Sequence, residues 1–236
     1  MVLSADLKQK IEKTQAFLQD VSVTHSPVTF ANSLGAEDMI LTDLICRNAV
    51  DIDIFTLDTG RLHEETYSLL EQIKKRYDLL VTVYYPEATA IEQYVKQQGI
   101  NGFYDSVAAR KSCCQIRKVG PLKRALQGKK AWVTGLRREQ SVTREALKPS
   151  EWDEHFQLYK FNPLHDWNEQ DTWDYIHQFK VPYNALHDRH FPSIGCAPCT
   201  RAVQDGEDVR AGRWWWEDPT SKECGLHREE KQRVQA

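Results

Sequence analysis

The chain has 236 residues, a length that fits one domain or one domain with an appendage. Its charge of −3, with 41% hydrophobic and 28% charged residues, excludes a generally basic nucleic-acid binder and is typical of an ordinary folded protein. No apolar run of about 18 residues predicts a membrane-spanning helix, and charges occupy the N-terminal stretch where a signal peptide needs apolar residues. We therefore expect a cytoplasmic protein whose thiols stay reduced.

Hydrophobic periodicity alternates between strand and helix along most of the chain. It predicts strands over residues 28–31, 52–57, 79–85, 130–134 and 155–161, and helices over 3–21, 39–47, 64–77, 90–97 and 168–180. This order predicts an α/β fold, a mostly parallel twisted sheet flanked by helices. After residue 200 the sequence is mostly charged and polar, so we predict a domain over 1–200 and a flexible C-terminal segment over 201–236.

Three loops, over residues 32–38, 58–63 and 135–141, follow predicted strands, where ligands bind in sheets of this kind. The loop Ser33-Leu-Gly-Ala-Glu-Asp38 opens a helix, and backbone N–H groups at such a place bind phosphate or sulfate. The loop at 135–141 and its surroundings carry Arg137, Arg138 and Arg144, whose guanidinium groups suit the same anions. From the residues alone, ordinary turns and solvated surface arginines explain these loops equally well.

Four cysteines form two close pairs, Cys113 with Cys114 and Cys196 with Cys199. Four thiolates suit zinc or an iron–sulfur cluster, provided that the fold brings the pairs together. Adjacent cysteines are awkward for tetrahedral zinc, whereas a cluster presents iron atoms at separate corners. Structural zinc and free buried thiols remain alternatives to a cluster at this point.

A further cysteine, Cys224, has His227 three residues after it and several basic residues nearby in sequence. Cations lower the pKa of a thiol and favour the nucleophilic thiolate. Cys224 is therefore a candidate nucleophile, although a lone cysteine in a polar segment is often inert.

Taken together, several motifs between residues 30 and 228 resemble the assimilatory adenylyl-sulfate (APS) and phosphoadenylyl-sulfate (PAPS) reductases. They are the segments 33–38, 57–63, 135–141 and 212–216, and Glu223-Cys-Gly-Leu-His227, which is quite specific. The two cysteine pairs are similar to those of the branch that carries a cluster and typically uses APS. The resemblance implies a nucleotide α-hydrolase-like fold and one [4Fe-4S] cluster on Cys113, Cys114, Cys196 and Cys199.

The resemblance also implies the reaction, the reduction of APS to sulfite and AMP in sulfate assimilation for cysteine biosynthesis. Cys224 would attack the sulfate sulfur to give an S-sulfocysteine, which thioredoxin or a glutaredoxin would then cleave. We expect neither a nucleic acid nor a membrane as partner, and a homo-oligomer remains open. The predicted substrate-binding residues are Ser33, Leu34, Gly35, Leu57, Thr59, Lys118, Arg137, Arg138, Arg144, Arg210, Arg213 and His227.

Three alternatives compete with this interpretation. The first is the same chemistry on PAPS, which differs from APS by a 3′-phosphate. The second is an ATP-dependent adenylating enzyme on the same kind of sheet, which the absence of a Ser-Gly-Gly loop at residues 33–35 argues against. The third is a non-catalytic iron–sulfur or zinc protein, which has no evident use for a cysteine beside a histidine near its C-terminus.

Overall fold

The computed structural model describes residues 3–140, 144 and 146–218. Its centre is a sheet of six strands in the order β3-β2-β1-β4-β6-β5, all neighbours parallel except β5 and β6. The prediction of a mostly parallel sheet flanked by helices is confirmed. The strands are β1 Val28–Ala31, β2 Asp53–Leu57, β3 Thr82–Tyr84, β4 Ala131–Val133, β5 Ser150–Asp153 and β6 Leu158–Phe161.

Helices pack around this sheet, and their ends follow from local sequence. The side chain of Ser4 caps α1 by accepting the amide of Leu7 at 3.1 Å. Asn168 and Asp171 form a reciprocal capping box on α7. The helices are α1 Ala5–Thr24, α2 Ala36–Arg47, α3 Glu64–Tyr77, α4 Ala88–Gln98, α5 Val107–Cys114, α6 Gly120–Leu126 and α7 Glu169–Phe179.

The main core lies between the sheet and helices α1, α2 and α7. Phe30 on β1 and Met39, Ile40 and Leu44 on α2 are at most 1% exposed in it. Because β1 and β4 are buried on both faces, they consist of hydrophobic residues and threonine rather than alternating polar ones. This burial makes the centre of the sheet a rigid base for the loops that leave it.

The chain leaves β1 toward β2 on one side, while β4 leads to β6 on the other side. The loops after β1 and β4 therefore diverge and leave a crevice at the carboxyl ends of the strands. This crevice is where the sequence predicts a ligand.

Two parts of the fold were not predicted. Strand β5 pairs antiparallel with β6 through a turn over residues 154–157, which the prediction had merged into a strand over 155–161. Helices α5 and α6 were also missed, and a π-helical turn, Gln115–Val119, joins them. Among the helices of the described ranges, none is long and apolar enough to cross a membrane.

Candidate active site

A cavity of about 800 Å³ opens at the carboxyl ends of β1, β2 and β4. All three loops singled out in the sequence contribute to its wall. Of the predicted substrate-binding residues, Leu34 and Arg138 do not line it, and His227, like Cys224, lies outside the described residues. The predicted residues that line it are Ser33, Gly35, Leu57, Thr59, Lys118, Arg137, Arg144, Arg210 and Arg213.

Asp38 holds the loop after β1 in shape. Its Oδ2 accepts hydrogen bonds of 2.6 Å from both the amide and the hydroxyl of Ser33. The amide of Leu34 bonds to Asn32 Oδ1 at 2.6 Å, and the left-handed backbone of Leu34 turns its side chain into the core. The loop therefore presents backbone and the Ser33 hydroxyl to the cavity rather than the Leu34 side chain.

Burial and, to a lesser extent, the nearby charge of Glu37 raise the pKa of Asp38 to about 6, although the hydrogen bonds from Ser33 oppose the shift. Gly135, after β4, lies directly against this carboxyl group. A Cβ at Gly135 would lie 2.1 Å from Asp38 Oδ1, so only glycine permits this approach. The contact joins the two loops across the crevice.

The three arginines that follow β4 have different environments. Arg137 is buried and forms ion pairs with Glu37 at 2.8 Å and Glu139 at 3.1 Å, so its charge is already compensated. Arg138 is exposed and donates to the backbone oxygen of Leu147 at 2.9 Å, away from the cavity wall. Arg144 lines the cavity and donates to Gln140.

Arg213 reaches the same cavity from the C-terminal part of the chain. Its Nη1 lies 3.3 Å from both Ser193 Oγ and the backbone oxygen of Ile194. The guanidinium crosses Gly195 so closely that a Cβ there would lie 2.5 Å from Arg213 Nη2. A side chain at position 195 would therefore displace this cation from the cavity wall.

The fold brings the two cysteine pairs together, because all four line one small second cavity with Arg61, Arg110, Arg117 and Lys118. Burial raises the pKa of the Cys199 thiol to about 12, the neighbouring Cys196 adds to the rise, and the positive charges of Lys118 and Arg213 oppose it. Among the residues that the structure describes, no three metal-ligating side chains are grouped closely enough to hold a single ion.

Local backbone features place these cysteines. Cys113 and Cys114 end α5, and the wide π-helical turn after them turns the basic residues 117 and 118 toward the site. Cys196 precedes a 3₁₀ turn, Ala197–Cys199, whose Ala197 amide donates to the backbone oxygen of Arg61 at 2.8 Å. This bond ties the second pair to the loop after β2.

Two residues connect the cysteine cavity with the large one. Lys118 lines both cavities. Thr59 lines the large cavity, and its Oγ1 lies 3.2 Å from Cys196 Sγ. The cysteines therefore lie one side chain away from the cationic wall.

The described part of the C-terminal segment, residues 201–218, packs against the rest of the chain. Thr200 and Arg213 form an antiparallel bridge, and the Trp214 amide donates to the backbone oxygen of Cys199 at 3.1 Å. Glu217 is buried and pairs with Arg110 on α5. Sequence reasoning gave no role of their own to Asp38 and Glu217, because a buried charge gives no sequence signal before its partner is known.

Comparison with known proteins places the chain among relatives. Residues 27–202 match the family model of the phosphoadenosine phosphosulfate reductase domain. The chain belongs to this family. The matched part of this family member contains both cysteine pairs and all three loops of the cavity, and it ends before Arg210, Arg213 and Cys224.

Curated relatives in the family cover most of the chain. The adenosine 5'-phosphosulfate reductase of Allochromatium vinosum is 59% identical over 86% of this chain and 79% of its own length. The corresponding protein of Burkholderia cepacia is 52% identical over 95% of this chain and 90% of its own length.

Solved structures show the same fold. The PAPS reductase of Candida auris, in a phosphate complex, is 25% identical with a TM-score of 0.70, covering 86% of this chain and 99% of the other. An FMN adenylyltransferase of Candida glabrata reaches a TM-score of 0.57 at 16% identity, over 94% of this chain and 81% of the other. The latter likeness concerns the fold alone.

Proposed function

We propose that this protein reduces APS to sulfite and AMP in sulfate assimilation, using a thiol protein such as thioredoxin or a glutaredoxin as reductant. The observation that carries the proposal is a cation-lined cavity at the sheet's crevice that shares Lys118 with a cavity lined by four cysteines. A nucleotide with a sulfated phosphate needs such a wall of cations. The names of the Allochromatium and Burkholderia relatives support APS as the substrate.

We also propose that Cys113, Cys114, Cys196 and Cys199 hold one [4Fe-4S] cluster. All four cysteines line one small cavity together with Arg61, Arg110, Arg117 and Lys118. Four thiolates around one cavity suit a cluster, because each thiolate would bind a different iron atom. When bound, the cluster would supply a negative charge that the surrounding cations offset. It need not transfer electrons, because thiols supply both electrons of the reduction.

The chain's own residues carry the reaction. The thiolate of Cys224 forms a bond to the sulfur of APS while the bond from that sulfur to the phosphate oxygen breaks, and AMP leaves. A thiolate of thioredoxin then attacks Cys224 Sγ, so that sulfite leaves and a mixed disulfide forms. The second thioredoxin thiol attacks this mixed disulfide, which releases the Cys224 thiol and leaves a disulfide within thioredoxin. A thiolate and a sulfate repel each other, so cations on the cavity wall must neutralise them as they approach. The proposed cationic groups are Lys118, Arg144, Arg210, Arg213 and His227.

The test of the nucleophile is Cys224→Ser. We expect sulfite release to fall below detection, while APS binding and iron content change less than about twofold, because the hydroxyl is a far weaker nucleophile than the thiolate. Mass spectrometry of the unaltered protein after exposure to APS without reductant should find a sulfonate on Cys224. Cys46→Ser, which changes a half-buried cysteine on α2, is the matched control. Normal turnover by Cys224→Ser would exclude the proposed mechanism.

A further inference from the structure

A buried ion pair joins helix α5 to the last described residues. Arg110 Nε donates to Glu217 Oε1 at 2.8 Å, and Arg110 Nη2 donates to Glu217 Oε2 at 2.6 Å. The side chains are only 1% and 2% exposed. Two parallel bonds between a guanidinium and a carboxylate fix both distance and orientation, which a single hydrogen bond does not do.

The pair lies beside the cysteine cavity. Arg110 stands one helical turn before Cys113 on α5 and lines that cavity. The Arg110 guanidinium also packs over the ring of Trp214 at 4.5 Å, and Trp214 is 1% exposed. Residues 213–217, called here the anchor segment, therefore touch both α5 and the loop that carries Cys199.

Different bonds hold the two ends of the anchor segment. Backbone contacts fix its beginning, because Arg213 bridges to Thr200 and Trp214 bonds to the oxygen of Cys199. The ion pair fixes its end at Glu217, three residues further on. Between the two ends, the Trp216 ring packs on Phe103 and Tyr104, with ring centroids 6.3 and 4.5 Å away. Loss of the ion pair removes the charged contact at Glu217, so we expect residues 215–218 to open more often while Arg213 stays on the cavity wall.

We propose that the Arg110–Glu217 ion pair is a positioning element that fixes residue 217 beside the cysteine cavity, and so keeps Cys224 within reach of a substrate in the large cavity. This inference rests on the proposed function, in which Cys224 is the nucleophile. Cys224 follows Glu217 by seven residues, which span at most about 25 Å when extended. Glu217 is held against Arg110 on the wall of the cysteine cavity, which shares Lys118 with the large cavity. Anchoring residue 217 there limits how far the Cys224 thiol can lie from both cavities, and a tethered group reacts in proportion to its local concentration.

The test is Glu217→Gln in the full-length protein, with two readouts. Hydrogen exchange measured by mass spectrometry follows the amides of residues 215–218, which include the Glu217 amide that donates to Trp214 at 2.9 Å. The rate at which the Cys224 sulfonate forms in a single turnover measures how well the thiol is delivered. We expect exchange at 215–218 to accelerate at least tenfold and the single-turnover rate to fall about tenfold. APS affinity should change less than threefold, and iron content should stay the same.

Glu151→Gln is the matched control, because it removes another ion pair with a mostly buried lysine, Lys160, at 2.8 Å on the far strands β5 and β6. We expect neither readout to change in that variant. If Glu217→Gln loses iron, the double variant Arg110→Met/Glu217→Gln repeats the test without an uncompensated buried charge. Iron loss in the double variant as well would overturn the proposal, since the pair would then support the cysteines instead.

The other outcomes separate the two hypotheses. Faster exchange with an unchanged sulfonation rate would show that anchoring does not deliver Cys224, and unchanged exchange would show that the pair is not the anchor. If the unaltered protein forms no sulfonate on Cys224, the proposed nucleophile fails, and delivery of Cys224 fails with it. Exchange at 215–218 would still report whether the pair anchors the chain.

Discussion

Asp38 is a carboxylate buried in the wall of the large cavity, where it holds the loops after β1 and β4 together. Its pKa in the folded protein, about 6, exceeds the ordinary value of 3.8, chiefly because burial disfavours the charged form. Between these two pH values the folded protein binds more protons at this site than the unfolded chain. Ionised Asp38 therefore lowers stability at neutral pH while it orders the cavity.

This shift predicts a pH dependence. The free energy of unfolding of the unaltered protein, relative to Asp38→Asn, should fall as the pH rises from about 4 to about 6 and then stay level. The total fall should be roughly 2–3 kcal/mol, at 1.36 kcal/mol per unit of pKa shift. Urea unfolding of both proteins across this pH range measures this difference in the free energy of unfolding. Parallel stability curves would mean that the pKa of Asp38 does not differ between the folded and unfolded states.

At the scale of elements, the segment α5, π-helical turn and α6 supplies half of the cysteine site. The described part of the chain places Cys113 and Cys114 at the end of a helix, where the change to a wider turn separates neighbouring side chains. Two adjacent cysteines can then both face one cavity. The turn also directs Arg117, whose Nη1 donates to the Thr59 backbone oxygen at 2.6 Å.

Cys114→Ser tests this element. We expect iron and sulfite production to be lost together, to below about a tenth of the unaltered level, because one of the four proposed thiolate ligands is missing. Iron and sulfide analysis and a visible spectrum, after anaerobic purification, measure the loss of iron. An APS turnover assay measures the loss of sulfite production. The Cys46→Ser variant controls for the loss of a thiol as such. An iron-free but fully active Cys114→Ser protein would refute the role of the cluster.

Local sequence signals predicted some elements well and others not at all. Ser4 and Asn168 are of residue types that favour helix N-caps, and both cap helices in the structure, because a cap depends on neighbours within one turn. Helix α5 was missed because the residue that it buries is Arg110 rather than an apolar one, so no hydrophobic stripe marks it. Strand β5, Ser150–Asp153, is polar and forms only through its pairing with β6, which no local pattern records.

At the scale of the molecule, the site assembles from distant parts of the sequence. Parallel strands predict that the loops after β1, β2 and β4 share one edge, and the structure puts all three around the cavity. The strand order and the return of residues 210–217 to the cysteines depend on long-range packing. The sequence therefore indicates which groups to examine, such as Arg213, but not that Glu37 and Glu139 compensate the charge of Arg137.

That compensation bears on substrate choice. A 3′-phosphate adds negative charge to the nucleotide, and Arg137 on the cavity wall is already paired with two glutamates. We expect kcat/KM for APS to exceed that for PAPS at least about tenfold, a difference of about 1.4 kcal/mol. Steady-state rates with both nucleotides at matched reductant concentration measure the ratio. Equal values, or a preference for PAPS, would contradict this expectation.

Lys118 lines both cavities. One ammonium group shared between two anions interacts less strongly with each than it would with one anion alone. Binding equilibria that share a counter-ion are thermodynamically linked, and such linkage is reciprocal. Negative charge in the cysteine cavity weakens the hold of Lys118 on an anion in the large cavity. By the same factor, an anion bound in the large cavity weakens the attraction between Lys118 and the negative charge in the cysteine cavity. Filling either cavity with an anion would then weaken anion binding in the other.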